Sequence, residues 1–236
     1  MLIGDLLLED HMRYDIVTTQ PDIYESFLKT GLIARGIDRK IIDVKIHNLH
    51  DFAFDAHKSV DDTPAGGGPG MILRVDVMTN AINNIKYQIS NNKSKTILLT
   101  PQGKKFAQSD AKRLAKKNLI LIAGRFEGYD ERIRDLVDEE ISIGDFVLTS
   151  GDLPAMVLID AISRQIPGFI EKPESIAEES FVDGLLEYPQ YTRPVDFRGK
   201  KIPEVLLSGN HAEIKKWRRS EAVKRTRKRR PDILPP

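Results

Sequence analysis

The sequence predicts an α/β domain built on a mainly parallel sheet, followed by a smaller, helical and basic end. Two observations carry this prediction. Strand-like and helix-like periodicities alternate through the first two thirds of the chain, which is the pattern of βαβ units. Beyond them the charge changes character. Residues 215–230, KKWRRSEAVKRTRKRR, hold ten Lys or Arg against one Glu, in a chain of 236 residues whose formal net charge is only +1. A basic block attached to an acidic body is the footprint of a polyanion-binding end.

RYDIVTT (13–19) is β-branched and alternating, and reads as the first strand. DIYESFLKTGLIARGI (22–37) puts Ile23, Phe27 and Leu28 at helical spacing, with Asp22 as N-cap after Pro21. KIIDVKIH (40–47) reads as a strand. Residues 48–70 form a polar, glycine-rich loop longer than ordinary connections, and loops of that length are usually functional or disordered. A helix at 75–89, the buried strand KTILLT (95–100), the basic helix AQSDAKRLAKK (107–117) and the strand LILIAG (119–124) follow. DERIRDLV (130–137) reads as a short helix and EEISIGDFVLTS (139–150) as strand-like. LPAMVLIDAISRQI (153–166) is a helix with Pro154 near its start. The periodicity then breaks at PGFIEKPESIAEES, whose prolines, glycine and mixed charge suit a linker. The expected divisions are an extension or leader at 1–11, the α/β domain at 12–170, a linker at 171–185 and the basic helical domain at 186–236.

Several classes are excluded. No apolar run approaches the roughly 20 residues that span a bilayer. The start, MLIGDLLLEDHM, lacks a basic n-region and is interrupted by Asp5, so neither a membrane span nor a signal peptide is expected. Cysteine is absent, which removes disulfides, a thiol nucleophile and cysteine-held metal centres, and fits a cytoplasmic protein. His47, His50 and His57 lie close in sequence but match no HExxH-type spacing, so no metal site is assigned.

VDDTPAGGGPGM (60–71) invites a phosphate-loop reading, which fails on inspection. A Walker loop needs Lys after its last glycine, where Met71 stands, and a dinucleotide fingerprint must follow a strand directly. Three other glycine-bearing turns each follow a strand signal: TPQG (100–103), GRFEG (124–128) and GDFVLTSGDLP (144–154). Ligands of open α/β sheets bind outside the carboxyl ends of the strands, where such turns would offer backbone groups to a flat heterocycle.

VDDTPAGGGPGM, PQG, GRFEGYDERI, SIGDFVLTSGDLPAM, RQIPG, YTRP and LLSGNHAEIKKWR stand in an order and spacing that resembles the bacterial TrmD-type tRNA (guanine-N1)-methyltransferases, from about Met12 to Leu234. The resemblance implies a SPOUT-type α/β fold with a deep trefoil knot, a homodimer with active sites at the interface, and S-adenosylmethionine as methyl donor, with Mg²⁺ as a candidate accessory ion. It implies tRNA as partner and N1 of the guanosine just 3′ of the anticodon as acceptor. Another RNA site for a SPOUT enzyme, and a non-catalytic RNA-binding homologue, are the alternatives.

Guanine N1 carries a proton at neutral pH, and removing it drives negative charge towards O6. Methylation therefore needs a base near N1 and a cation or N–H donor near O6. By the resemblance, Arg164 stabilises the O6 charge. The base is Glu179, standing in EESF where the family places Asp, with Glu178 as its competitor. The positions matching the donor pocket are Thr100, Pro101, Gln102 and Gly103 in the first turn, Gly124, Arg125, Glu127 and Gly128 in the second, and Ile143, Gly144, Phe146, Leu148, Gly151 and Pro154 in the third. Glu127 would attract the cationic methionine end of the donor. Ser150 stands where the family has glycine, which implies strain if that position needs positive φ. Pro69 and Gly70 match the guanine pocket and Asp61 a neighbouring nucleotide, although the family's D-R-P-Y is D-T-P-A here. Lys215, Arg218 and Arg219, with the 224–230 block, would meet tRNA phosphates. Trp217 is read as packing on a helix face.

Overall fold

The computed structural model describes residues 11–89, 94–172, 176 and 178–234. The chain divides into two compact units, with the boundary between Ile170 and Glu171.

The first unit holds a five-stranded sheet of β1 (Met12–Thr18), β2 (Ile42–Asn48), β5 (Ser94–Lys105), β6 (Asn118–Ala123) and β7 (Glu139–Ser142). Their order is β2-β1-β6-β5-β7, with every pairing parallel. A two-stranded ribbon of β3 (Asp61–Asp62) and β4 (Ile72–Leu73) brackets the glycine-rich loop. Strand residues alternate between two cores. Tyr14, Ile16, Ile97, Leu119 and Leu121 face one helical layer, while Val17, Leu98, Ile120 and Ile122 face the other. A parallel sheet covered on both sides explains why these strands read as apolar runs.

On the first face lie α2 (Gly31–Asp38), α4 (Gln108–Leu114) and α5 (Asp152–Ser163). On the second lies α3 (Val75–Gln88), through Val77, Met78, Ala81, Ile82 and Ile85. The single helix expected at 22–37 is broken into a 3₁₀ turn at Pro21–Tyr24, α1 (Glu25–Leu28) and α2. Gly31 causes the break by taking φ +64°, a backbone state that no helix propagates. The expected strand at 139–150 ends at Ser142, because Gly144 turns the chain with φ +156° and the Phe146 ring packs 2.4 Å from where a Cβ would stand.

Connectivity places the site. From the end of β6 the chain passes the end of β5 to reach β7, then returns to begin α5 beside β6. The Gly151 N–H donates to the Gly124 carbonyl at 2.7 Å. The carboxyl ends of β5, β6 and β7 thus share one edge of the sheet.

The second unit carries α6 (Glu204–Leu207) and α7 (His211–Arg229), with a 3₁₀ turn at Pro231–Ile233. The stretch before α6 is turns and irregular chain with a ribbon of β8 (Asp196–Phe197) and β9 (Lys200–Lys201), so this unit is less helical than its composition predicts. Pro189 and Pro194 explain the difference, since each removes an N–H that a helix would need, whereas Pro203 stands at the N-cap where α6 begins. Asn210 caps α7 by accepting the Glu213 N–H at 3.3 Å, and the helix buries only Ala222 and Thr226. The Thr226 hydroxyl, itself donating to the Ala222 carbonyl, accepts the Leu186 N–H at 2.9 Å. Of the segment read as a linker, 171–185, the described residues fall within this second unit, and 173–175 and 177 lie outside the described residues.

Candidate active site

At the shared edge of β5, β6 and β7 lies a cavity of about 390 Å³, within the range of small-molecule sites. Thr100, Pro101, Gln102, Gly124, Arg125, Glu127, Gly128, Ile143, Gly144, Phe146, Leu148, Gly151 and Pro154 all line it. Every residue matched to the donor pocket is there except Gly103. The register of β5 against β7 slips between Leu99 and Lys104, so the first turn is a bulge and Gly103 faces β7. A Cβ on Gly103 would lie 2.5 Å from the Glu140 carbonyl carbon and the Ile141 nitrogen. Gly103 shapes the wall from behind.

The floor is main chain. A Cβ on Gly151 would lie 2.8 Å from Ala123 Cα and from Gly124 N, so two loops meet backbone to backbone only because Gly151 carries no side chain. Ser150 is not strained: among the described residues, the non-glycine positions with positive φ are Lys40, Lys58, Phe126, Phe181 and Arg198. Its hydroxyl accepts the Asp152 N–H at 3.3 Å, a local turn bond that glycine could not make. The strain expected at Ser150 sits instead at Phe126, φ +60°. A bulky residue in that region costs about 1–3 kcal/mol, and Phe126 lines the cavity with Arg125 5.8 Å over its ring.

Sequence reasoning missed the wall formed by Tyr129, Glu131 and Arg134. Arg134 pairs with Glu140 and, at 2.8 Å, with Glu131, and it also donates to the Gln102 side-chain oxygen. The bond to Glu140 raises its pKa further. Burial raises the Tyr129 hydroxyl above its ordinary value, against a lowering bond with Thr100. The Y and E of GRFEGYDERI are the available signal for Tyr129 and Glu131, while Arg134 stands one residue beyond the motif, and nothing in the spacing shows that a 3₁₀ turn, Glu131–Leu136, carries them to the cavity.

The residues matched to the acceptor, Asp61, Pro69 and Gly70, stand in the ribbon and its loop, with Gly70 against Glu127 of the cavity lining. Asp61 is half-buried and pairs with Leu73 across the ribbon, while Pro69 and Gly70 are exposed. The Glu127 N–H donates to the Met71 carbonyl at 3.0 Å and the Leu73 N–H to the Gly128 carbonyl at 2.9 Å. Arg164 is the C-cap of α5 and lies away from the cavity at the helix's other end, about 18 Å along the axis from its start.

The remaining predicted residues, Glu179, Lys215, Arg218 and Arg219, line a second cavity of about 400 Å³ in the second unit. Arg218 sits 4.7 Å over the Tyr188 ring and 3.4 Å from Glu178 Oε2, which also accepts the Tyr188 hydroxyl at 2.8 Å. Arg219 approaches Asp183 at 3.5 Å. Trp217 is half-buried with its ring 6.4 Å from that of Tyr191. His47 bonds Asp15 at 2.7 Å and His50 the Lys58 carbonyl at 2.9 Å. Among the described residues no group of three or more His, Asp or Glu is arranged to hold a metal ion, and no helix is long and apolar enough to cross a membrane.

Comparison with known proteins agrees with this arrangement. The profile of the family described as tRNA (Guanine-1)-methyltransferase TrmD matches residues 12–236. The tRNA (guanine-N(1)-)-methyltransferase of Citrifermentans bemidjiense is 50% identical over 225 residues, covering 94% of this chain and 90% of the relative. Those of Clostridioides difficile and Dictyoglomus turgidum are 49% and 47% identical over 224 residues, covering 94% of this chain and 97% and 90% of the relatives. A glycine-floored cavity at one edge of a parallel sheet and a match along nearly the whole chain lead to one conclusion: the chain belongs to the TrmD tRNA (guanine-1)-methyltransferase family.

Proposed function

We propose that the chain methylates N1 of guanosine 37 of tRNA, using S-adenosylmethionine. The observation that carries the reading is the convergence of three glycine-bearing turns on one cavity. Its main-chain floor suits a flat adenine, and Glu127 suits a cationic amino-acid end. The donor supplies an electrophilic methyl group on a sulfonium sulfur. Glu179 takes the N1 proton, leaving a lone pair at N1, and Arg164 balances the charge that moves to O6. Glu179 stands directly before Ser180 and Phe181, where the family's motif places its Asp, which favours it over Glu178 as the base.

The surface supports a homodimer. Phe146 and Val147 of the cavity lining and Leu153 and Val157 of α5 are all exposed, apolar surface of the kind a partner covers. A second copy on this face completes the site with Arg164 and Glu179. The return of the chain over the end of β5 to seat α5 against β6 suits the path of a trefoil knot. The basic face of α7 holds tRNA phosphates, Mg²⁺ is an accessory ion in turnover, and the enzyme works in the cytoplasm.

Calorimetric titration with S-adenosylmethionine, followed by methylation of unmodified transcripts carrying G or A at the target, tests the reading. Donor binding with turnover of the G transcript alone is expected. Equal turnover of the A transcript would defeat the guanine-N1 assignment. In single-turnover assays Glu179→Gln is expected to abolish chemistry while Glu178→Gln retains it.

A further inference from the structure

We infer that Gly70 positions Glu127, making the glycine-rich loop a structural part of the methyl-donor site. This rests on the functional reading above and deepens it. The loop matches the acceptor's pocket, yet its last glycine abuts a residue of the donor cavity. A Cβ on Gly70 would lie 2.3 Å from Glu127 Cγ and 2.9 Å from its Oε1. No side chain is accommodated at that separation, so any residue larger than glycine moves the Glu127 carboxyl.

The Gly70–Glu127 approach is rigidly referenced on both sides. Glu127 N–H donates to the Met71 carbonyl, Leu73 N–H to the Gly128 carbonyl, and Asp130 N–H to the Leu73 carbonyl at 3.0 Å. Leu73 and Tyr129 form a parallel bridge. Residues 71–73 and 127–130 therefore behave as one short ladder, and Gly70 sits at its end. The side chain of Glu127 has a main-chain neighbour on the loop side and the cavity on the other. Its placement is set by the absence of an atom on Gly70.

The loop supplies its own control. Gly67 has the same φ as Gly70, +79°, but nothing lies within 4 Å of where its Cβ would stand. Alanine at either position meets the same backbone strain. Only at Gly70 does it also meet Glu127.

The test is calorimetric titration with S-adenosylmethionine, without tRNA, on wild type, Gly70→Ala, Gly67→Ala, Glu127→Ala and the Gly70→Ala/Glu127→Ala double variant. Gly70→Ala is expected to weaken donor binding roughly tenfold, the usual order of coupling between sites. Gly67→Ala is expected to leave it within about twofold, and Gly70→Ala to add nothing once Glu127 is gone. Equal weakening by both glycine variants, additive effects in the double variant, or an unchanged Kd in Gly70→Ala would each overturn the inference. If Gly70→Ala does not fold, the double variant, in which the clash is absent, is expected to fold, and its failure would overturn the inference too. A wild type that binds no donor overturns the functional reading itself, whereas a wild type that binds with an indifferent Gly70→Ala overturns only the positioning role.

Discussion

The Tyr24 hydroxyl donates to Asp152 Oδ1 across 2.8 Å in the core, to the same oxygen that accepts the Thr18 hydroxyl at 2.7 Å. Burial and the neighbouring Asp152 both raise the Tyr24 pKa, so the phenol remains a donor. The pair fixes the first turn of α5, where Gly151 and Pro154 line the cavity. Tyr24→Phe is expected to cost about 1–2 kcal/mol, read as a lower urea midpoint, and to weaken donor binding. A midpoint equal to wild type would show that Thr18 alone holds Asp152.

Asp15 supplies a pH dependence. Burial pushes its carboxyl up, but bonds from His47 and from Arg13 outweigh burial and hold it below its ordinary value. A carboxyl whose folded pKa is depressed stabilises the fold at pH above its unfolded value, about 4. That contribution is lost as pH falls through the lower folded value. The urea midpoint of Asp15→Asn is therefore expected to fall less than that of wild type between neutral and acid pH. Parallel curves for the two proteins would refute this assignment.

Ser150→Gly restores the residue that the family's motif carries, and a motif argument expects it to stabilise. The structure predicts the opposite sign. Ser150 bears no positive φ, and its hydroxyl bonds the Asp152 N–H. Glycine removes that bond and adds freedom to the unfolded chain, a destabilisation of about 0.5–1 kcal/mol. Thermal unfolding decides between the two signs.

The last turn of α7 exposes Arg227, Lys228 and Arg229. Replacing all three by Gln is expected to weaken tRNA binding and to make its salt dependence shallower, by about 0.7–0.9 in log–log slope for each phosphate no longer neutralised. Donor affinity should not change. A slope equal to wild type would place the tRNA elsewhere.

The sequence predicted the alternation of the first unit well, because apolar runs in a doubly covered parallel sheet are strong signals. Leu98 and Leu121 could hardly be anything but strand core. It failed where one residue's backbone state decided the outcome. Gly31 split a helix and Gly144 ended a strand, and neither φ is written in hydrophobic periodicity. The turns that line the cavity are legible through ordered motifs, but the same motifs place Gly103 there too, because a motif records position without direction. Arg134 was missed for the converse reason. Its partners Gln102, Glu131 and Glu140 lie in three separate segments, which only the fold brings together.

The backbone meeting of Gly151 and Gly124 bears on inhibition. A compound that hydrogen-bonds to this floor engages main-chain atoms, of which only the N–H groups can be deleted, and only by proline. Any residue larger than glycine at Gly151 would collide with Ala123 and Gly124. Escape from such a compound would have to come through the rim, at Phe126, Phe146 or Val147, where side chains can change without disturbing the floor.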